Sequence, residues 1–131
     1  MPTLQRPFAS FDVVPDANVL VGRPLGGVTI TFDDMKEVCA LGLQQFRREP
    51  WVYISVRDAR FDTDPTLYAR LAEVDHRAVG FAVVTDDASQ QLIAKYASGF
   101  GQPDVTVGFF DDVDAATTWA RRLLLRTSTP T

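Results

Sequence analysis

The chain is poor in the residues that most often carry chemistry. Its 131 residues include one cysteine, Cys39, and one histidine, His76. A lone cysteine rules out an intramolecular disulfide and a cysteine-built zinc site, and a lone histidine rules out a histidine-rich metal centre. Lysine is confined to Lys36 and Lys95, and the arginines are scattered apart from the short pairs Arg47-Arg48 and Arg121-Arg122. The clustered basic footprint of a nucleic-acid-binding protein is therefore missing. The net charge of −4 offers no general attraction to phosphate backbones or anionic lipid. No apolar run approaches the roughly 20 residues that span a bilayer, and the N-terminus lacks a basic segment followed by an apolar one. These absences describe a cytoplasmic chain with no membrane insertion, no nucleic-acid partner, no metal and no cofactor. Glycine motifs add nothing to that picture. Gly22, Gly26 and Gly27 fit neither GxGxxG nor GxxxxGK, and Gly99-Phe100-Gly101 follows a predicted helix instead of a strand.

What the chain has is an ordinary globular balance, 46% hydrophobic and 23% charged, which suits one packed core without a metal or disulfide. A chain of this length buries roughly 68% of the surface it exposes when unfolded, whereas two cores would leave each half too small. The expected organisation is a single domain over 1–126 with a flexible tail over 127–131.

The N-terminal segment alternates. Phe8, Phe11 and Val13-Val14 predict a strand, Pro15-Asp16-Ala17 a turn, and Asn18 to Val21 its partner. Pro24 to Gly27 breaks the chain before the β-branched run Val28-Thr29-Ile30. The period then changes. Thr31 followed by Asp33-Asp34 predicts a helix start, with Met35, Val38, Cys39, Leu43 and Phe46 on one face, Arg47-Arg48 at the negative end of the dipole and Pro50 as the stop. Gly42 lies inside this helix, where it costs about 1 kcal/mol relative to Ala; close packing against a sheet is the compensation expected. Trp51 to Val56 is a short apolar run of the kind buried on both faces. Asp64-Pro65 predicts a second helix start, Ala78 to Val84 a buried strand, and Thr85 to Ala88 a third helix start closed by Gly99. Val105 to Phe110 predicts the last strand, and Val113, Ala116, Trp119, Ala120, Leu123 and Leu124 the buried face of the last helix. A β-rich start followed by alternating helices and strands predicts an α/β fold with a mixed, mainly parallel sheet. An N-terminal β-hairpin supplies its antiparallel part.

Residues Arg77 to Leu124 resemble the C-terminal half of SpoIIAA-like proteins, within the STAS group (sulfate transporter and anti-sigma factor antagonist). The matching pattern is the strand Ala78-Val79-Gly80-Phe81-Ala82-Val83-Val84, a helix, a strand ending Val107-Gly108-Phe109-Phe110, and Ala115-Ala116 before Trp119. Upstream, Val52 to Asp58 resembles the family's strand that finishes in an Asp. The resemblance covers roughly 18–125 and implies SpoIIAA-like architecture. Anti-sigma factor antagonists of this group are switched by phosphorylation of a Ser or Thr at the start of the helix after the Asp-ended strand. The resemblance therefore makes Asp58, Arg60, Phe61, Asp62 and Thr63 the candidate partner or switch segment, with Thr63 the hydroxyl nearest the acceptor position. The family's Leu-Ser-Gly after that Asp is replaced here by Ala59-Arg60-Phe61.

Set against this are readings from the residues alone. Thr63 and Asp64 also suit a helix cap, and Asp62 and Asp64 would repel a phosphate placed between them. The acidic groups Asp33-Asp34, Asp62 with Asp64, Asp86-Asp87, and Asp111-Asp112 with Asp114 all sit at predicted helix starts. The helix dipole explains carboxylates there without a bound cation. His76, between a helix and a strand, reads as a surface loop residue or a C-terminal dipole partner, and Ser55, Ser89 and Ser98 lack the context of a nucleophile. Tyr96, Phe100, Phe110 and Trp119 form a candidate apolar pocket, an idea helped by the similarity in layout between SpoIIAA-like proteins and the CRAL-TRIO lipid-transfer fold. The expected function is a non-enzymatic STAS-like protein-interaction module; the alternative is a small carrier of an apolar ligand or lipid. A protein partner is expected, and strand edges in the N-terminal meander suit pairing into a homodimer.

Overall fold

The computed structural model describes residues 3–14, 16–25, 29–56, 62–63, 70, 74–85 and 105–128. Eight strands and two long helices are seen among them: β1 (Thr3–Arg6), β2 (Ala9–Val13), β3 (Val19–Pro24), β4 (Thr29–Ile30), α1 (Phe32–Gln45), β5 (Trp51–Val56), β6 (Asp62–Thr63), β7 (Ala78–Val84), β8 (Thr106–Phe110) and α2 (Val113–Ser128). Six strands form one mixed sheet in the order β1-β2-β3-β5-β7-β8. The pairs β1·β2 and β2·β3 are antiparallel, and β3·β5, β5·β7 and β7·β8 are parallel. This is the α/β class with the mixed, mainly parallel sheet that the alternation predicts.

The N-terminal hairpin is larger than expected. An additional strand, β1, folds back on β2 through a turn at Pro7-Phe8, with Arg6 opposite Ala9. The β-branched run before α1 does not join the main sheet. Thr29–Ile30 instead pairs in parallel with Asp62–Thr63, forming a separate two-residue ladder. The helices predicted to start at Asp64-Pro65 and at Thr85 to Ala88 fall largely outside the described residues, as does Val28.

Strand period explains the layers. In β5, Trp51 and Tyr53 point to one face, while Val52, Ile54 and Val56 point to the other, and all are buried. The first face carries Phe11, Leu20 and Phe81 and is covered by Val38, Cys39, Leu41 and Phe46 of α1 and its C-cap. The second carries Val19, Val21, Ala82 and Val84 and is covered by Ala116, Ala120 and Leu123 of α2. Rings collect on the α1 face: Phe46 stacks on Trp51 at 5.9 Å, and Tyr53 meets Phe81 edge-on at 6.1 Å. On the α2 face the small Ala116 and Ala120 let the helix approach the aliphatic strands closely.

The ends of α1 follow from local chemistry. Thr31 accepts from the Asp34 amide at 3.2 Å, and the Asp34 carboxylate accepts from the Thr31 amide at 2.9 Å, a complete capping box. The buried face is shifted from the predicted one, with Leu41 and Gly42 buried and Leu43 half-buried. At the other end the basic pair lies beyond the last turn. Arg47 and Arg48 adopt left-handed backbone, φ 54° and 62°, and the Arg48 amide donates to the Leu43 carbonyl at 2.9 Å. This is a Schellman turn with Arg47 where glycine is usual. At the C-terminus α2 continues through Ser128, taking in the first two residues of the expected tail, and Thr127 Oγ1 donates back to the Leu123 carbonyl at 2.9 Å.

Candidate functional site

Two ends of the sheet differ in character. After the parallel strand β5, the candidate switch segment is described only at β6. Asp62 lies opposite Thr29 and Thr63 opposite Ile30, one residue from the Thr31 cap that starts α1. The backbone thus holds Thr63 extended, beside the entry to α1. Asp58, Arg60 and Phe61 lie outside the described residues. Near this entry, Phe32 at the first position of α1 carries two cations on its ring: the Arg70 guanidinium at 3.8 Å from the centroid and Lys36 Nζ at 5.4 Å.

The carboxylates at this end act as helix-start groups. Asp34 closes the capping box, Asp33 pairs with Lys36 at 3.3 Å, and the Asp112 carboxylate accepts from the Ala115 amide at 2.8 Å at the start of α2. Among the described residues no three His, Cys, Asp or Glu side chains gather as a cation site would require. Asp64, Asp86 and Asp87 lie outside those residues. Thr85 is buried, and its amide donates to the Phe110 carbonyl at 3.1 Å, tying the end of β7 to β8.

Two of the four residues of the expected aromatic pocket are described. Phe110 and Trp119 meet at 5.4 Å, both half-buried against the α2-side core, and Tyr96 and Phe100 lie outside the described residues. The Trp119 ring occupies space left open by Gly80 and Gly108: an added Cβ would stand 3.1 and 3.2 Å from it. That contact packs α2 on the sheet.

A concavity that the sequence did not announce opens at the opposite end, beside the amino ends of β3 and β5. It is an open groove of about 1100 Å³, walled by Val13, Val14 and Ala17 of the β2–β3 hairpin, Phe46 and Pro50 after α1, and Leu124 and Leu125 of α2. Asp16, Glu49 and Arg121 supply its charges. Asn18 fixes the junction, its Nδ2 donating to Glu49 Oε2 at 3.2 Å and to the Pro50 carbonyl at 3.1 Å. Leu125 is 67% exposed on the groove, a large apolar side chain left in water.

At this same end His76 departs from its expected place on the surface. It is 8% exposed. Its Nδ1 accepts from the Ala78 amide at 2.9 Å, and its carbonyl accepts from the Trp51 indole N–H. Beside it, Arg48 and Arg77 both reach the Asp75 carboxylate. Sequence reasoning missed the burial because it depends on an indole donor 25 positions away.

Comparison of the chain with family models, with curated proteins and with solved structures finds no match. No helix among the described residues is long and apolar enough to cross a membrane.

Proposed function

We propose that the chain is a non-enzymatic STAS-like protein-interaction module, with its working surface at the carboxyl-end rim around Thr63. The observation that carries this is the parallel ladder that sets Asp62–Thr63 beside Thr29–Ile30 and so next to the start of α1. Of the segment that the STAS resemblance marks, Asp62 and Thr63 thereby lie beside a capped helix start. A phosphate added to Thr63 adds nearly two negative charges to a strand paired beside the start of α1, whose first turn carries Asp33 and Asp34. On this reading, such a change alters how the rim meets a partner. The antiparallel hairpin followed by parallel strands agrees with the layout the resemblance implies. On this reading the protein works in the cytoplasm. The test is affinity capture with wild type and Thr63→Glu side by side, followed by binding of the recovered partner to both purified proteins. The expected result is a partner whose affinity falls about tenfold or more with Thr63→Glu. Failure to recover a partner, or equal binding, overturns the reading.

The groove supports a second reading, a small carrier of an apolar ligand. Its volume suits a small molecule, and its walls mix apolar residues with the charged Asp16, Glu49 and Arg121. Native mass spectrometry of the purified protein decides it. A co-purified molecule lost with Leu125→Glu supports the carrier, and its absence from wild type rejects it. Leu125 is exposed enough for the change to spare the fold.

A further inference from the structure

We propose that the groove at the amino ends of β3 and β5 is a dimer interface, in which a second copy of this chain presents the same groove across a two-fold axis. The inference does not rest on the interaction-module reading, and it gives the groove a different occupant from the carrier reading.

The groove is open where a small-molecule site closes. Such sites bury most of the ligand surface, whereas here Leu125 is 67% exposed, and Asp16, Glu49 and Pro50 are exposed around it. A single leucine in water needs no explanation. This one shares its concavity with Val13, Val14, Ala17 and Leu124, all half-buried, so the apolar surface is continuous. A continuous apolar surface rimmed by charge is the mark of an association site.

The order of the charges says which partner fits. On α2, Arg122, Leu125 and Arg126 fall at i, i+3 and i+4 and are all exposed, forming one patch beside the groove. Arg121 lines the groove itself and is already engaged within its own chain. The walls away from α2 carry the carboxylates, Asp16 in the β2–β3 connection and Glu49 after α1. One surface thus holds an apolar side chain, an apolar hollow, cations on one side and anions on the other. It is complementary to itself. Under a two-fold rotation the arginine side of each copy meets the acidic side of the other, and both Leu125 side chains project into one shared apolar space. A wholly acidic partner would be repelled by Asp16 and Glu49, and a wholly basic one by Arg122 and Arg126. A second copy satisfies both sides.

The leucines supply the affinity, since exposed ion pairs contribute little each. The charges fix the orientation and make the association salt-sensitive. With so small an apolar centre the dimer is weak, forming at about 10–100 μM chain.

Sedimentation velocity of the full chain across that range tests the proposal. The expected result is a reversible monomer–dimer equilibrium that weakens about fivefold on raising salt to about 0.5 M. Leu125→Glu should weaken it by at least about tenfold while leaving thermal unfolding unchanged. Charge reversal is the sharper test. Arg122→Glu/Arg126→Glu and Asp16→Lys/Glu49→Lys should each be monomeric alone and should dimerise when mixed, because both halves of the mixed interface then pair opposite charges. Native mass spectrometry separates this from the carrier reading: a doubled mass with no added molecule is expected. A wild type that stays monomeric, with or without a bound small molecule, overturns the proposal. So does a dimer that survives Leu125→Glu, as one paired through the β1 edge would, or a pair of folded reversed variants that do not combine. Should a reversed variant fail to fold, wild type and Leu125→Glu decide.

Discussion

Gly42 in α1 and Trp51 in β5 touch without an intervening side chain: a Cβ on Gly42 would stand 2.2 Å from Cζ2 of the indole. The glycine thus gives up helix propensity to let the helix backbone sit on a ring. Two opposing terms decide Gly42→Ala. Alanine gains about 1 kcal/mol in helix propensity, but an added methyl against a fixed ring costs about 1–3 kcal/mol. The ring is fixed by its N–H to His76 and by its stack on Phe46. The clash should win, and the urea midpoint should fall. A raised midpoint would show that the indole has room to move.

Arg47→Gly should act in the opposite direction. Arg47 is an exposed residue in left-handed backbone, a conformation costing a non-glycine residue about 1–2 kcal/mol. Glycine removes that cost but adds freedom to the unfolded chain, worth about 0.4–1 kcal/mol. The net expectation is a gain of about 0.5–1 kcal/mol in thermal unfolding. Arg48→Gly should gain less or nothing, because its guanidinium also holds Asp75. Equal gains at the two positions would argue that this ion pair contributes nothing to stability.

Thr31→Ala removes half of the capping box and should cost about 1 kcal/mol, while Thr31→Ser should cost much less. Thr31 follows directly on the β4–β6 ladder. Amide exchange at Ile30 and Thr63 should therefore quicken in the alanine variant beyond what the global loss explains. Exchange that rises only in step with global stability would separate the cap from the ladder.

These sites also show what the sequence carried on its face. The runs Trp51–Val56 and Ala78–Val84 were legible because burial on both faces demands unbroken apolar residues, and Thr31 with Asp34 because a cap needs those oxygens at that spacing. Gly42 was legible because an interior helical glycine needs a compensating contact. β1 was not: Thr-Leu-Gln-Arg holds a single apolar residue, and its turn at Pro7-Phe8 is none of the usual hairpin dipeptides. The left-handed turns at Arg47, Arg48 and Arg77 carry no glycine to mark them. The groove escaped notice because its walls come from residues 13–18, 45–50 and 121–125, which only the folded chain brings together. The pairing of Asp62–Thr63 with Thr29–Ile30 has no signature in either two-residue strand.

Trp119 separates packing from ligand binding on the α2 face. If the ring fills space left by Gly108, then Gly108→Ala and Trp119→Ala act on one volume. Alone, Trp119→Ala should cost about 3 kcal/mol, the lower end for a large aromatic, because the ring is half-buried. Gly108→Ala alone should also destabilise, its Cβ standing 2.7 Å from Phe110 Cε2 and 3.2 Å from the indole. With the indole gone, part of that crowding disappears. The double variant should then be more stable than the sum of the singles by about 0.5 kcal/mol or more. Strict additivity in urea unfolding would show that ring and glycine do not share the space. Trp119 would then be left as a wall of the pocket that the sequence suggested.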